Sequence, residues 1–281
     1  MSNYRMFAVA TLFLSNVLFG QYNPDNHVVT VVIYDLKYLN EVEEGSAEER
    51  KELFETYYKK MNDASDSMIS SLVLGHYMGG SSNQVKQIAE WKSLADADAW
   101  VTSGAEMRKK MFPKEDERKA FFEKYSKYWV GNHDDVAVRE LVASRVKRYK
   151  KKADKNTIVT NQTRNLKPMS EVEGGTSKER EEIMDEYFKK AIMKNDKVLS
   201  YRELRHYWSG SQGGGEYYYV QVREFKSLED MRDSQGWAEV HKKAWPNEKK
   251  REEFFEKAGK YFSPGHTDLG THWNWVNLSK R

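Results

Sequence analysis

The sequence predicts an α+β protein in which one βαββαβ unit occurs twice in tandem, and three observations predict it. The chain has 281 residues, enough for two domains that each bury a core of their own. A set of short phrases recurs in the same order at nearly constant spacing. Within each copy the apolar period switches between strand and helix in the same succession.

The recurrence begins with Glu41-Val-Glu-Glu-Gly-Ser-Ala-Glu-Glu-Arg50, which returns as Glu171-Val-Glu-Gly-Gly-Thr-Ser-Lys-Glu-Arg180, a shift of 130 positions. The same shift carries Tyr57, Lys59 and Lys60 onto Tyr187, Lys189 and Lys190, and His76-Tyr77 onto His206-Tyr207. After a four-residue insertion, Glu90-Trp-Lys-Ser-Leu94 matches Glu224-Phe-Lys-Ser-Leu228. Phe121-Phe-Glu-Lys124 then matches Phe254-Phe-Glu-Lys257, Lys127-Tyr128 matches Lys260-Tyr261, and His133 matches His266.

Each copy opens on a strand, Val28 to Leu36 and the more polar Ile158 to Leu166, with Val29-Thr30 and Leu36-Lys37 recurring as Val159-Thr160 and Leu166-Lys167. Ser46 with Glu49, and Thr176 with Glu179, have capping-box spacing, in which the hydroxyl accepts from an orphan N–H and the carboxylate reaches back to the cap. The helices that follow carry Leu53, Phe54, Tyr57, Tyr58 and Met61 on one face, and Ile183, Met184, Tyr187, Phe188 and Ala191 on the other copy's. Glycine-punctuated hairpins come next, Met68 to Met78 and Gln84 to Trp91 flanking Gly79-Gly-Ser-Ser-Asn83, and Val198 to Trp208 and Tyr217 to Phe225 flanking Gly210-Ser-Gln-Gly-Gly-Gly-Glu216. Pro113 and Pro246 are placed to open the second helices, which end near Tyr128 and Tyr261. Last strands run from Asp135 to Val142 and from Asp268 to Val276.

That order, with right-handed crossovers, is the ferredoxin-like arrangement: a four-stranded antiparallel sheet with its helices on one face. The bare face of each sheet must be covered, and two fused copies cover each other as a pseudo-dimeric α/β barrel. The expected organisation is a signal peptide over 1–20, repeat 1 over 27–146, a basic linker over 147–156 and repeat 2 over 157–278. The run Arg145-Val-Lys-Arg-Tyr-Lys-Lys-Lys152 reads as solvated linker.

Residues 1–20 place Arg5 before an apolar run from Met6 to Phe19, too short and interrupted to span a bilayer, with Gly20 before the expected cut. The mature chain is therefore expected outside the cytoplasm, periplasmic or extracellular, with no membrane attachment. It has no cysteine, which excludes thiolate chemistry and leaves stability to packing. Forty-six Lys+Arg against 43 Asp+Glu, with no concentrated basic stripe, give no nucleic-acid footprint. No Gly-x-Ser-x-Gly, Walker or His-Glu-x-x-His pattern occurs.

The phrases Leu74-Gly-His-Tyr-Met-Gly-Gly80 and Leu204-Arg-His-Tyr-Trp-Ser-Gly210, each followed by Glu90-Trp-Lys-Ser-Leu-Ala-Asp96 or Glu224-Phe-Lys-Ser-Leu-Glu-Asp230, resemble the dimeric α/β-barrel superfamily. That superfamily includes antibiotic-biosynthesis-type monooxygenases, stress-responsive barrel proteins and chlorite-dismutase-like haem proteins. The Phe19-Gly-Gln21 junction and the Phe-Phe-Glu-Lys helices also resemble uncharacterised exported proteins of Bacteroidetes-type bacteria. The resemblance implies a fold and says little of chemistry, because one fold hosts many functions.

The recurring histidines are the leading site candidates. If strand two of one copy lies beside the last strand of the other, His76 approaches His266 and His206 approaches His133, giving two pseudo-symmetric sites at one barrel mouth. The structural alternative is turn histidines bonding local backbone. Tyr77, Tyr207, Trp208 and Tyr219 are the aromatic candidates for a pocket wall. Glu90 and Glu224 read as strand-end carboxylates at the start of the next helix.

The function expected from the sequence is binding of a small apolar or aromatic ligand between the two sheets, with no cofactor and no metal. The alternatives are an oxidoreductase, either cofactor-free and monooxygenase-like or haem-dependent through a repeat histidine, and a structural interaction module of the envelope. The sequence assigns no catalytic residue.

Overall fold

The computed structural model describes residues 26–78, 80–149, 153–207 and 217–281. The expected signal peptide, Gly79, part of the basic run (150–152), and the second hairpin loop with Trp208 lie outside the described residues. Among the described residues, no helix is long and apolar enough to cross a membrane.

The first half contains β1 (His27–Leu36), α1 (Ala47–Ala64), β2 (Met68–His76), β3 (Gln84–Trp91), α2 (Leu94–Thr102), α3 (Gly104–Met111), α4 (Glu115–Ser126) and β4 (Trp129–Lys147). The second contains β5 (Thr157–Leu166), α5 (Ser177–Tyr187) running into a π-helical turn (Phe188–Ile192), β6 (Val198–His206), β7 (Tyr217–Phe225), α6 (Leu228–Arg232), α7 (Ser234–Ala244), α8 (Glu248–Gly259) and β8 (Thr267–Asn274). The strands form one closed barrel in the order β1-β3-β2-β8-β5-β7-β6-β4. Each half therefore supplies four antiparallel strands in the ferredoxin-like succession. The joints are β2 against β8 and β6 against β4. The two expected facing sheets are thus joined at their edges, through Leu74–His76 of β2 with His272–Asn274 of β8 and through Arg139–Lys147 of β4 with β6.

Side chains alternate between the barrel interior and the helix layer outside it. The interior is filled by Val29, Leu72, Ile88, Leu141, Val159, Leu204 and their neighbours. An eight-stranded barrel is just wide enough for its own side chains. The expected ligand space between the sheets is therefore occupied by core, and that expectation is corrected. Outside, α1 buries Leu53, Phe54, Tyr58 and Met61 against the first half's strands. In the second half, Ile183, Phe254 and Tyr261 belong to one apolar cluster and Phe188 and Phe225 to another.

The expected capping boxes form only in part. The Ser46 hydroxyl accepts from the Glu49 N–H at 3.0 Å, and Thr176 does the same for Glu179. The carboxylates do not reach back. Instead the Tyr128 hydroxyl accepts from the Ser46 N–H at 3.0 Å and donates to Glu49. Tyr261 stands in the same way between Thr176 and Glu179. A phenol from the end of each second helix closes the gap because Glu49 and Glu179 are drawn away to Lys127 and Lys257.

The basic run is not simply solvated linker. Strand β4 extends to Lys147, and the Arg145 side chain is 2% exposed. Lys147 donates to the carbonyls of Ile192 and Asn195, and Arg148 holds Glu90 through two hydrogen bonds.

Glu90 and Glu224 also depart from expectation. They point into one end of the barrel, while Ser93 and Ser227 cap the following helices. Glu90 accepts from Ser70 and Arg148, and Glu224 from Ser200, Thr157, Asn274 and Arg281. Burial pushes both carboxyls up, but these donors outweigh it and hold each at about 2.

Candidate functional site

The histidines expected to pair do not meet. In the β2–β8 register His76 lies opposite His272, and His266 is six residues away along the chain, roughly 20 Å at strand rise. His206 lies opposite Arg139, again six residues from His133. The stagger that closes a barrel offsets neighbouring strands along their length, so adjacent strands need not bring corresponding residues level. His76 Nδ1 sits 3.1 Å from the Gly80 carbonyl. His133 and His266 lie 3.6 and 3.4 Å from Asp135 and Asp268. His206 is exposed and Tyr207 half-buried, while Tyr77 packs edge-on against Trp273.

Of the aromatic candidates, Tyr219 lines a cavity. This space of about 340 Å³ lies in the second half, between the outer face of β5, β6 and β7 and the helices α5 and α8. Its apolar walls include Ile183, Met184, Phe188, Phe254, Phe255 and Phe262. Polar groups converge from the sheet: Tyr201, Glu203, Tyr219, Gln221, Arg223 and, from β5, Arg164. A few placed polar groups in an apolar enclosure is the usual composition of a small-molecule site.

The first half shows why the cavity exists where it does. Counting from the shared Phe-Phe-Glu-Lys phrase, Tyr125 corresponds to Ala258 and Trp129 to Phe262. In the first half the Tyr125 ring stacks on Tyr57 at 4.6 Å and the Trp129 ring on Phe54 at 5.0 Å. In the second half Ala258 leaves the first of those volumes open, and Met184 replaces the second ring's partner. The sheet floor changes as well: Tyr34, Val73 and Ala89 correspond to Arg164, Glu203 and Arg223. Where the first half has an aromatic core, the second has a polar-floored cavity. These differences are visible in the sequence at positions between the recurring phrases, where the two halves do not match. The π-helical turn at Phe188 adds to the distinction, since the first half has regular α-helix over Ala47–Ala64 and such turns often sit at functional sites.

The floor is a connected network. Arg223 donates to the Gln221 side-chain Oε1, and Nε2 of Gln221 donates to the hydroxyls of Tyr201 at 3.2 Å and Tyr219 at 3.4 Å. Glu203 accepts from Arg145 at 2.8 Å and from Arg205 at 3.1 Å. Burial pushes the Tyr187, Tyr201 and Tyr219 hydroxyls above the ordinary phenol value, so they stay protonated at neutral pH. The Tyr187 hydroxyl lies 3.3 Å from Nε2 of His241, whose pKa is lowered by burial and then by Arg251.

The haem that the superfamily resemblance implies does not fit this donor set. Among the described residues no imidazole lines the cavity, His241 reaches it only through the Tyr187 hydroxyl, and the phenols are held neutral. Among the described residues, no group of three or more His, Asp or Glu could hold a metal ion. A larger groove, about 740 Å³, runs beside the linker, but its cations Lys147 and Arg148 are engaged with the Ile192 and Asn195 carbonyls and with Glu90.

No protein-family model matches the sequence, and no curated protein matches it. Among solved structures, the chain is similar to a protein described as a monooxygenase from Fusobacterium nucleatum, at 11% identity over 89% of this chain and 92% of that one, with a TM-score of 0.48. It is also similar to a protein described as a monooxygenase from Lactobacillus acidophilus, at 10% identity over 89% and 93%, TM-score 0.41. A mutant chlorite dismutase from Candidatus Nitrospira defluvii matches at 9% identity over 89% and 93%, TM-score 0.41. At about one identical residue in ten and TM-scores of 0.41 to 0.48, these likenesses transfer neither activity nor cofactor to this chain.

Proposed function

We propose that the protein binds a small, largely apolar or aromatic molecule in the cavity between the second half's sheet and helices, and that the two halves are copies of one unit of which only the second keeps a site. The signal-like residues 1–20 support binding after export. The replacement of Tyr125 by Ala258 at corresponding positions carries this reading, because it removes a ring from an otherwise shared aromatic stack. The polar floor supports binding over turnover. Its phenols hold their protons, and two guanidiniums engage its carboxylate, so neither is a ready base.

Titration with 2-naphthamide, a neutral aromatic, followed by calorimetry and thermal unfolding, tests the proposal. The parent protein is expected to bind it. Ala258→Tyr, which restores the first half's residue, is expected to fold and to lose binding; retained binding would place the ligand elsewhere.

A second reading, cofactor-free oxidation of the bound molecule, draws on the Tyr187–His241 contact, where a neutral imidazole could accept a proton through the Tyr187 hydroxyl. Dioxygen uptake that requires the bound molecule and disappears in His241→Gln would shift the assignment to an oxidoreductase.

A further inference from the structure

Resting on the cavity reading above, we infer that the natural ligand is an organic acid, an apolar or aromatic body bearing a carboxylate that pairs with Arg223. Three observations converge on the anion.

The first is the charge left over in the cavity. Of the charged residues that line it, Glu203 is already held by Arg145 and Arg205, neither of which lines the space. The remaining charged linings are two guanidiniums, Arg164 and Arg223. An enclosure that shows two cations and no uncommitted carboxylate favours an anion.

The second is an unsatisfied donor. The buried Nε of Arg223 has no hydrogen-bond acceptor. Its Nη2 is committed to Gln221, and the guanidinium lies over the Trp237 ring at 5.6 Å, so the group is fixed in place. A donor left unmade is costly, and a carboxylate entering the cavity would pair with the guanidinium that lines it.

The third is that neither arginine is required by the fold. The corresponding first-half residues are Tyr34 and Ala89, and Ala89 is 3% exposed and packs within that half's apolar core. The same strand positions thus build a sheet with no charge. Because Arg164 pairs across to Tyr219 in the β5–β7 register, while Arg223 pairs to Thr160, the two cations stand at different levels of the floor. One carboxylate therefore meets Arg223, with Arg164 raising the potential nearer the Ser263–Gly265 end.

The test uses two aromatic probes of the same body, 2-naphthoate and 2-naphthamide, titrated calorimetrically at neutral pH into the full chain. Naphthoate is expected to bind about tenfold or more tightly than the amide, the span of one charge-assisted hydrogen bond. Arg223→Ala, which installs the first half's residue, is expected to bring the ratio of naphthoate to naphthamide affinity down to about one. Arg223→Lys is expected to restore part of the preference, as a point charge without the fork. Equal affinity for the two probes in the parent, or a preference that survives Arg223→Ala, overturns the inference while the cavity reading stands. Failure of the parent to bind either probe, or binding of both that survives Ala258→Tyr, removes the cavity reading and this inference with it.

Discussion

The guanidinium of Arg145, near the end of the first half's last strand, lies 2.8 Å from the carboxylate of Glu203 on the second half's β6, and both side chains are almost wholly buried. Arg145 also pairs with Glu181 and Asp185 on α5. One side chain from the first half thus anchors the floor and the helix of the second half's cavity. Arg145→Met leaves Glu203 buried without one of its cations, so a loss of about 3–5 kcal/mol is expected in urea unfolding. A loss under about 1 kcal/mol would show that Arg205 alone compensates the site.

Tyr128 and Tyr261 each complete a helix start that its own sequence leaves half-capped. Removing either hydroxyl, as Tyr128→Phe or Tyr261→Phe, leaves a backbone N–H without its acceptor and should cost about 1–2 kcal/mol. Hydrogen exchange at Ser46 and Thr176 should quicken in the corresponding variant alone.

Acid stability follows from Glu90 and Glu224. Both carboxyls are held at about 2 in the folded chain, below the ordinary glutamate value, so the folded state binds fewer protons than the unfolded one. Their stabilisation is present above pH about 4.5 and is lost as pH falls through that value toward 2. It amounts to about 3 kcal/mol per group at full extent. Denaturation midpoints measured between pH 6 and 3 should fall, and the fall should shrink in Arg148→Gln, where Glu90 loses its main donor. A flat profile over that range would contradict the assignment.

The aromatic stack of the first half can be opened to imitate the second. Tyr125→Ala removes the ring that packs on Tyr57 and Phe121, with an expected cost of about 3–5 kcal/mol, as for other large aromatic truncations. Tm should drop accordingly, whereas Ala258→Tyr should leave Tm unchanged or raise it.

Neither His76 nor His206 lines the cavity. The double substitution to glutamine is therefore expected to leave 2-naphthamide affinity within about twofold, which calorimetry resolves. A larger loss would return the barrel-mouth histidines to consideration.

Much of the architecture was legible in the chain itself. Apolar spacing over Leu53 to Met61, the hydroxyls of Ser46 and Thr176, and the ordered recurrence of phrases are local or repeated signals, and a local signal survives without knowledge of its partners. What tertiary structure decided was which side chains meet. Strand stagger carried His76 to His272 instead of His266, and closure filled the barrel interior that would have held a ligand. The cavity instead came from residues distant in sequence, with Ala258, Met184, Glu203 and Arg223 brought together from two helices and two strands. Packing is a property of volumes that face one another, and a missing ring becomes a cavity only where the fold sets it opposite others that do not fill the gap.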